Sequence, residues 1–339
     1  MPPEPYTRAV PNIFDVAKAA GVSHQTVSRV LNGDATVRPA VRERVDEAIK
    51  ALDYRPSAAA RALARRRTRT IGLVVVGMPF YGPASIANGF NAAARASGWD
   101  VAIAATDDGA DAADLRKAGQ TLLAQDPRAV VVVAPGPAVG AALADIAARV
   151  PVVTSVDVVP GASAVTVDDV RGAALAVEHL ASLGHREVVH VAGPEGWTEA
   201  DQRIEGWRAA SERLGLALPE VLRGDWGSAS GYRLGRVLAQ QGAPTAVFSA
   251  NDQMALGVLA AFRDAGVRVP EDVSVVGFDD IPEAAFFPPP LTTLRQDFGA
   301  LGRGLMARVD DLLAEREPAD AAPLLPELVV RASTAPPRS

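Results

Sequence analysis

The chain contains no cysteine, which excludes a disulfide framework and a thiolate metal site and suits a reducing compartment. No stretch approaches the roughly 20 apolar residues of a membrane span. The N-terminal MPPEPYTRAVP has no apolar h-region, so a soluble, unexported, cytoplasmic protein with no membrane partner is expected. Catalytic signatures are missing as well. No strand is followed by G-x-G-x-x-G, and neither G-x-x-x-x-G-K-[ST] nor G-x-S-x-G occurs, which removes the usual grounds for a dehydrogenase, a phosphate-loop enzyme or a serine hydrolase. His179, His185 and His190 are close in sequence but lack H-E-x-x-H spacing and have no cysteine partners, so they are read as structural rather than metal-binding. Asp279 and Asp280 are paired acids, but adjacency points them in different directions, so binding and capping fit them better than general acid/base work. A non-enzyme with no cofactor is expected.

What is present is an asymmetry of charge. The 339 residues carry a formal charge of −6. Residues 1–70 hold 13 Lys or Arg against 7 Asp or Glu, a balance of +6 that leaves −12 for the rest. A basic head on an acidic body is the arrangement expected when one domain meets phosphates and the other avoids them. The length allows a small head and a larger body.

The head begins with IFDVAKAAGVSHQTVSRVLN, residues 13–32. Ile13, Val16, Ala17 and Ala20 fall at i, i+3, i+4 and i+7, one apolar stripe of a helix, and Gly21 suits its left-handed C-terminal cap. Ser23 can cap a second helix with the stripe Val27, Val30 and Leu31. His24, Gln25, Ser28 and Arg29 then lie on the outer face as hydrogen-bonding side chains on a small rigid element, the chemistry that reads base edges in a major groove. A third helix with buried Val41, Val45, Ala48, Ile49 and Leu52 closes the core, is broken by Pro56, and leaves Arg42, Arg44 and Lys50 solvated or positioned on phosphates. The following YRPSAAARALARRRTRT, residues 54–70, reads as a conditional helix or a flexible basic linker. It is Ala-rich, marginal alone and Arg-rich, with Leu63 as the one bulky apolar residue placed to wedge into a minor groove.

From Thr70 onward short β-branched runs (IGLVVV, VAIAAT, AVVVVA, PVVTSV, EVVHVAG, TAVFSAN, VSVVGF) alternate with helical segments, which predicts parallel sheets covered by helices on both faces. Two sheets fit, with chain crossings near Val167 and Leu294 and a last strand in LLPELVVRAS. In such a body a ligand belongs at the carboxyl ends of the strands, between the lobes. The candidates there are Arg203, Asn251, Asp252, Asp279, Asp280 and the loop tryptophans Trp197 and Trp226. Carboxylate, amide and guanidinium can pair hydroxyls and an indole can pack on an apolar ring face, so a sugar-like polyol suits them.

Together, IFDVAKAAGVSHQTVSRVLNG, YRPSAAARALA, PTAVFSANDQMALG and VSVVGFDDIPEAAFFPPPLTTLRQDF resemble the lactose-repressor (LacI/GalR) family from about Ile13 to Thr334. The resemblance implies an all-α helix-turn-helix head (13–55, after a disordered 1–12) and a hinge helix or linker (56–69). It also implies an α/β two-lobe core like the periplasmic binding proteins (70–335), built on two doubly wound parallel sheets. Lobe 1 spans about 70–167 and 295–326, lobe 2 about 168–294 and 327–335, with a tail at 336–339. It implies base contacts by His24, Gln25 and Arg29, phosphate contacts by Thr26 and Ser28, and a minor-groove lever at Leu63 with Ala60 beside it. Tyr81, Trp197, Arg203, Trp226, Asn251, Asp279 and Gln296 are the implied effector contacts. The match weakens in the first lobe, where Ser155 replaces a pocket aspartate with Asp157 nearby, and Val167 replaces an aromatic. Trp197 and Asp201 vary too, which points to an effector other than a lactose-type sugar. The chain stops at Ser339 without the leucine-heptad tail of the family's tetrameric namesake, so a homodimer on a palindromic operator is expected. Two other readings remain: a transport-type sugar receptor without a DNA role, or a regulator using a corepressor such as a nucleobase.

Overall fold

A computed structural model describes residues 11–31, 34, 36–54, 68–107, 111–133, 138–157, 162–317 and 322–338, with only the backbone at 138–142. The chain forms two compact units, Met1–Arg69 and Thr70–Ser339. The hinge expectation, with Ala60 and Leu63, and the breaker role of Pro56 lie outside the described residues.

The first unit is a three-helix head. Helix α1 (Ile13–Ala20) starts on a capping box in which the Asn12 side chain accepts from Phe14 N and Asp15 N while Asp15 accepts from Asn12 N. Asn12 is therefore part of the folded head rather than of a disordered leader. Gly21, at φ +63°, ends the helix in the left-handed region. Ser23 Oγ accepts from Thr26 N at 3.2 Å and opens α2 (His24–Leu31). Helix α3 is Pro39–Ala51. Val16, Ala17, Ala20, Val27, Val30, Val45 and Ala48 form the core with Tyr54. Three details differ from the sequence reading. Val41, expected to be buried, is half-buried and lies outside this core. Leu31 is 36% exposed and lies outside this core. Helix α3 ends well before Pro56, where Asp53 turns left-handed (φ +45°) and Tyr54 folds back into the core.

The second unit runs β1 (Thr70–Val76), α4 (Tyr81–Ala96), β2 (Asp100–Thr106), α5 (Ala112–Leu123), β3 (Val130–Val133), α6 (Ala138–Ala147), β4 (Val152–Thr154) and β5 (Ser163–Ala164). It continues with α7 (Asp169–Ser182), β6 (Val189–Ala192), α8 (Thr198–Leu214), β7 (Leu222–Arg223), α9 (Ser228–Gln240), β8 (Ala246–Ser249), α10 (Asp252–Asp264) and β9 (Ser274–Asp279). A 3-10 turn (Pro282–Phe286), β10 (Thr292–Arg295), α11 (Phe298–Leu313) and β11 (Glu327–Val329) complete it. The first sheet, ordered β2-β1-β3-β4-β5, is wholly parallel. The second, β11-β10-β9-β8-β6-β7, is parallel except for β11, which pairs antiparallel with β10. The last strand expected in LLPELVVRAS is β11, which returns to the second sheet as an antiparallel edge strand along β10.

Strands β1 and β3 are valine-rich and buried on both faces, as a sheet covered on two sides requires. One face of the first sheet packs Phe90, Leu301, Leu305 and Met306 from α4 and α11; the other packs Leu115 and Leu122 from α5. Helix α11 sits on α4 at very close range. A Cβ on Gly302 would lie 2.3 Å from the backbone of Gly89 and Phe90, so only glycine permits this approach. The second sheet is covered by α9 and α10 on one face and by α7 and α8, with Trp207 fully buried, on the other. The chain passes between the sheets after Val167, which bridges to Leu324, between β10 and α11, and again before β11. Among the described residues no helix is long and apolar enough to cross a membrane.

Candidate functional site

In the head, α2 exposes His24, Gln25 and Arg29, while Thr26 and Ser28 are half-buried. The buried Val27 and Val30 hold that face outward. Two of the exposed groups are oriented by neighbours. The His24 ring lies 5.1 Å from the exposed ring of Phe14. Arg29 donates to Asp34 at 2.8 Å and to Thr36 Oγ1 at 2.6 Å; the Thr36 hydroxyl, which donates to Asp34 Oδ1 at 2.5 Å, and after it Arg29 hold the Asp34 carboxyl far below the usual range. Arg42, expected to be solvated or on phosphate, instead donates to the carbonyl of Asp34 at 2.8 Å.

In the second unit the carboxyl ends of the strands open into a cleft of about 580 Å3, its open mouth included, within the roughly 300–1,000 Å3 of small-molecule sites. Tyr81, Trp197, Arg203, Trp226, Asn251, Asp279 and Gln296 all line it. Arg203 is buried in α8, where Nε donates to Asp169 Oδ1 at 2.7 Å and NH1 to the Ala250 carbonyl at 2.5 Å. Its guanidinium lies 3.8 Å from the Phe278 ring centroid. Burial pushes the Asp169 carboxyl up despite this cation. Burial works against the charge on Arg203, but Asp169 and Asp279 outweigh it and raise its pKa. Asp279 ends β9 at φ +109° and accepts from Gln296 Nε2 at 2.7 Å; burial pushes it up to about 6, against the pull of Arg203. Asn251 caps α10 through Oδ1 to Met254 N and donates Nδ2 to the Trp226 carbonyl at 3.0 Å. That carbonyl belongs to a tryptophan at φ +67° whose Nε1 is buried with no partner among the described residues.

Two of the sequence candidates serve the scaffold. Asp252 accepts from Thr293 Oγ1 at 2.6 Å and Ile281 N at 2.9 Å, and Asp280 pairs with Arg295 and Arg331. The histidines do the same: His190 stacks on Phe248 at 4.6 Å and His185 faces Thr245 and Ser274. No group of His, Asp and Glu suited to a metal occurs among the described residues.

The family described as "Bacterial regulatory proteins, lacI family" matches residues 12–57, and "Periplasmic binding protein-like domain" matches residues 177–334. The lactose operon repressor of Escherichia coli (strain K12) is 33% identical over 336 residues, 95% of this chain and 90% of the relative. The chain belongs to the lacI family. A crystal structure of the lac repressor dimer bound to operator and an anti-inducer shares its fold, with TM-score 0.89, 32% identity and coverage of 96% of this chain and 99% of that one. A complex of the transcriptional regulator CelR with cellobiose gives TM-score 0.71 at 32% identity, covering 95% and 99%.

Within this lacI-family core, sequence reasoning missed the apolar side of the cleft, formed by Phe80, Pro83, Ile86, Val133 and Phe298, and the acid Glu199. Phe80 and Phe298 carry no polar group that would single them out in a sequence, and an acid in the first turn of a helix is commonplace as a dipole partner. Ser155, Asp157 and Val167 line a second, adjoining cavity that shares Ile86, Glu199 and Gln296 with the first.

Proposed function

We propose that this lacI-family regulator is a cytoplasmic homodimer that represses transcription from a pseudo-palindromic operator and is released by a small sugar effector held in the cleft. It is a binder rather than a catalyst. The observation that carries the reading is the pairing, in one chain, of an outward polar face on α2 with a cleft that brings a guanidinium, an amide, a carboxylate and two indoles together. Phosphate contacts from the basic head supply salt-dependent affinity, and His24, Gln25 and Arg29 choose the bases. Thr26 and Ser28 position the helix on phosphates, and Ala60 and Leu63 are proposed for the minor groove. Tyr81, Trp197, Arg203, Trp226, Asn251, Asp279 and Gln296 are proposed to hold the effector. The operator-bound dimer and the cellobiose complex among its structural relatives support the same partners.

The test is selection of DNA from a random pool by the full-length protein, followed by footprinting. The retained sequences should share two inverted half-sites, and Arg29→Ala should relax the preference at one position of each. Retention of sequences with no shared motif would remove the repressor reading.

A further inference from the structure

The cleft holds more acid than its cation can balance. Asp157, Asp169, Glu199 and Asp279 line the two adjoining cavities, and Arg203 is the one cationic side chain among the described residues that does so. Arg203 is already committed to Asp169 and to the Ala250 carbonyl, with Asp279 at 3.9 Å. Glu199 has no such partner. Its Oε2 is shut off from solvent without a hydrogen bond among the described residues, and the residue lies where the two cavities meet.

An aromatic wall shares this space. Trp197 packs edge-on against Phe80 at 6.1 Å and against Trp226 at 5.6 Å, and both tryptophans line the first cavity. Trp226 is 5% exposed, and its Nε1–H is the unmatched donor on that wall. A carboxyl group with an unmatched oxygen and no ion-pair partner, lining the same cavity as aromatic side chains, is a setting for a cation, because both the charge and the ring quadrupoles attract one. A hydroxyl would satisfy the oxygen but leave the charge without a counterpart; an ammonium supplies donors and charge together. The Trp226 N–H and the Asn251 and Gln296 amides leave room for hydroxyls on the same molecule.

We propose that the effector is a polyhydroxylated amine, an amino sugar in its protonated form, with Glu199 as the residue that selects the ammonium group. The inference rests on the sugar-effector reading and narrows it. Burial and the nearby Asp169 raise the Glu199 carboxyl to about 7 in the unliganded protein, a cost that a bound cation removes.

The test is calorimetric titration of the full-length protein at neutral pH with glucosamine, galactosamine and mannosamine, each against its parent hexose and its N-acetyl derivative. At least one amine should bind about tenfold or more tighter than both neutral counterparts, the scale of one buried charge pair. Glu199→Gln should erase that preference, read as the ratio of amine to neutral-sugar affinity falling to about one. Neutral sugars that bind as tightly as the amines, or a preference that survives Glu199→Gln, would overturn the proposal and leave the sugar reading standing. Binding by none of the compounds would overturn both. The wild-type ratio decides the matter even where the variant does not fold.

Discussion

Arg203 is both a cleft residue and a structural one, and that dual role changes what its replacement should do. Removing it leaves Asp169 buried without a cation, and breaking a buried pair costs about 3–5 kcal/mol. Arg203→Ala should therefore lower the melting temperature of the core as well as abolish the ligand response. Arg203→Lys keeps the charge but cannot reach Asp169, the Ala250 carbonyl and the Phe278 face in one geometry. It should fold better than the alanine variant and still fail to respond, as differential scanning fluorimetry with and without ligand will show. A lysine variant that responds normally would remove Arg203 from the site. Glu199 makes the opposite prediction, about pH. Its folded-state pKa, raised to about 7 chiefly by burial, lies above the unfolded value of about 4.3. The folded state therefore holds the proton longer, and stability is lost as pH rises through that window. Glu199→Gln removes this loss, so its melting temperature should gain on the wild type from pH 5 to about pH 7 and level off above it. A gap that stays constant with pH would show that Glu199 ionises normally.

At the scale of elements, the α4–α11 contact is the most exacting junction in the first lobe. Gly302 meets the backbone of Gly89 and Phe90, where no side chain can yield. Gly302→Val should push the helices apart and cost about 1–3 kcal/mol or more, read as a lower midpoint in urea; an unchanged midpoint would mean that the helices separate freely. The same junction shows what the sequence conceals. Valine runs such as VVVV at 130–133 announce buried strands, and the spacing of Val16, Ala17 and Ala20 announces one face of a helix, because both patterns are local. That Phe298, more than 200 residues away in sequence from Phe80 and Tyr81, shares a cleft with them depends on where the chain recrosses between lobes, and no local pattern encodes that. Residues at strand ends, Asn251 and Asp279, were legible because the fold class alone says where ligands gather. Leu31 was misread because the end of a short helix lies beyond the partner that would bury it.

At the scale of the whole molecule, the chain carries two units, a lacI-family helical head and a periplasmic-binding-protein-like core, and the proposed function gives the head's polar face to DNA and the core's cleft to a ligand. Each fits its job by charge: the head is basic, the core acidic, so non-specific attraction to phosphate is confined to the part that reads sequence. Coupling between them requires the effector to favour the form that does not hold DNA, since a ligand with equal affinity for both forms shifts nothing. The most direct measurement is fluorescence anisotropy of the full-length protein on its selected operator at fixed salt, without ligand and with a saturating concentration of a sugar shown by calorimetry to bind the cleft. The account predicts a weakening of operator affinity by about 5- to 150-fold, the usual range of allosteric coupling. An affinity that stays the same with the cleft filled, or that rises, would contradict it.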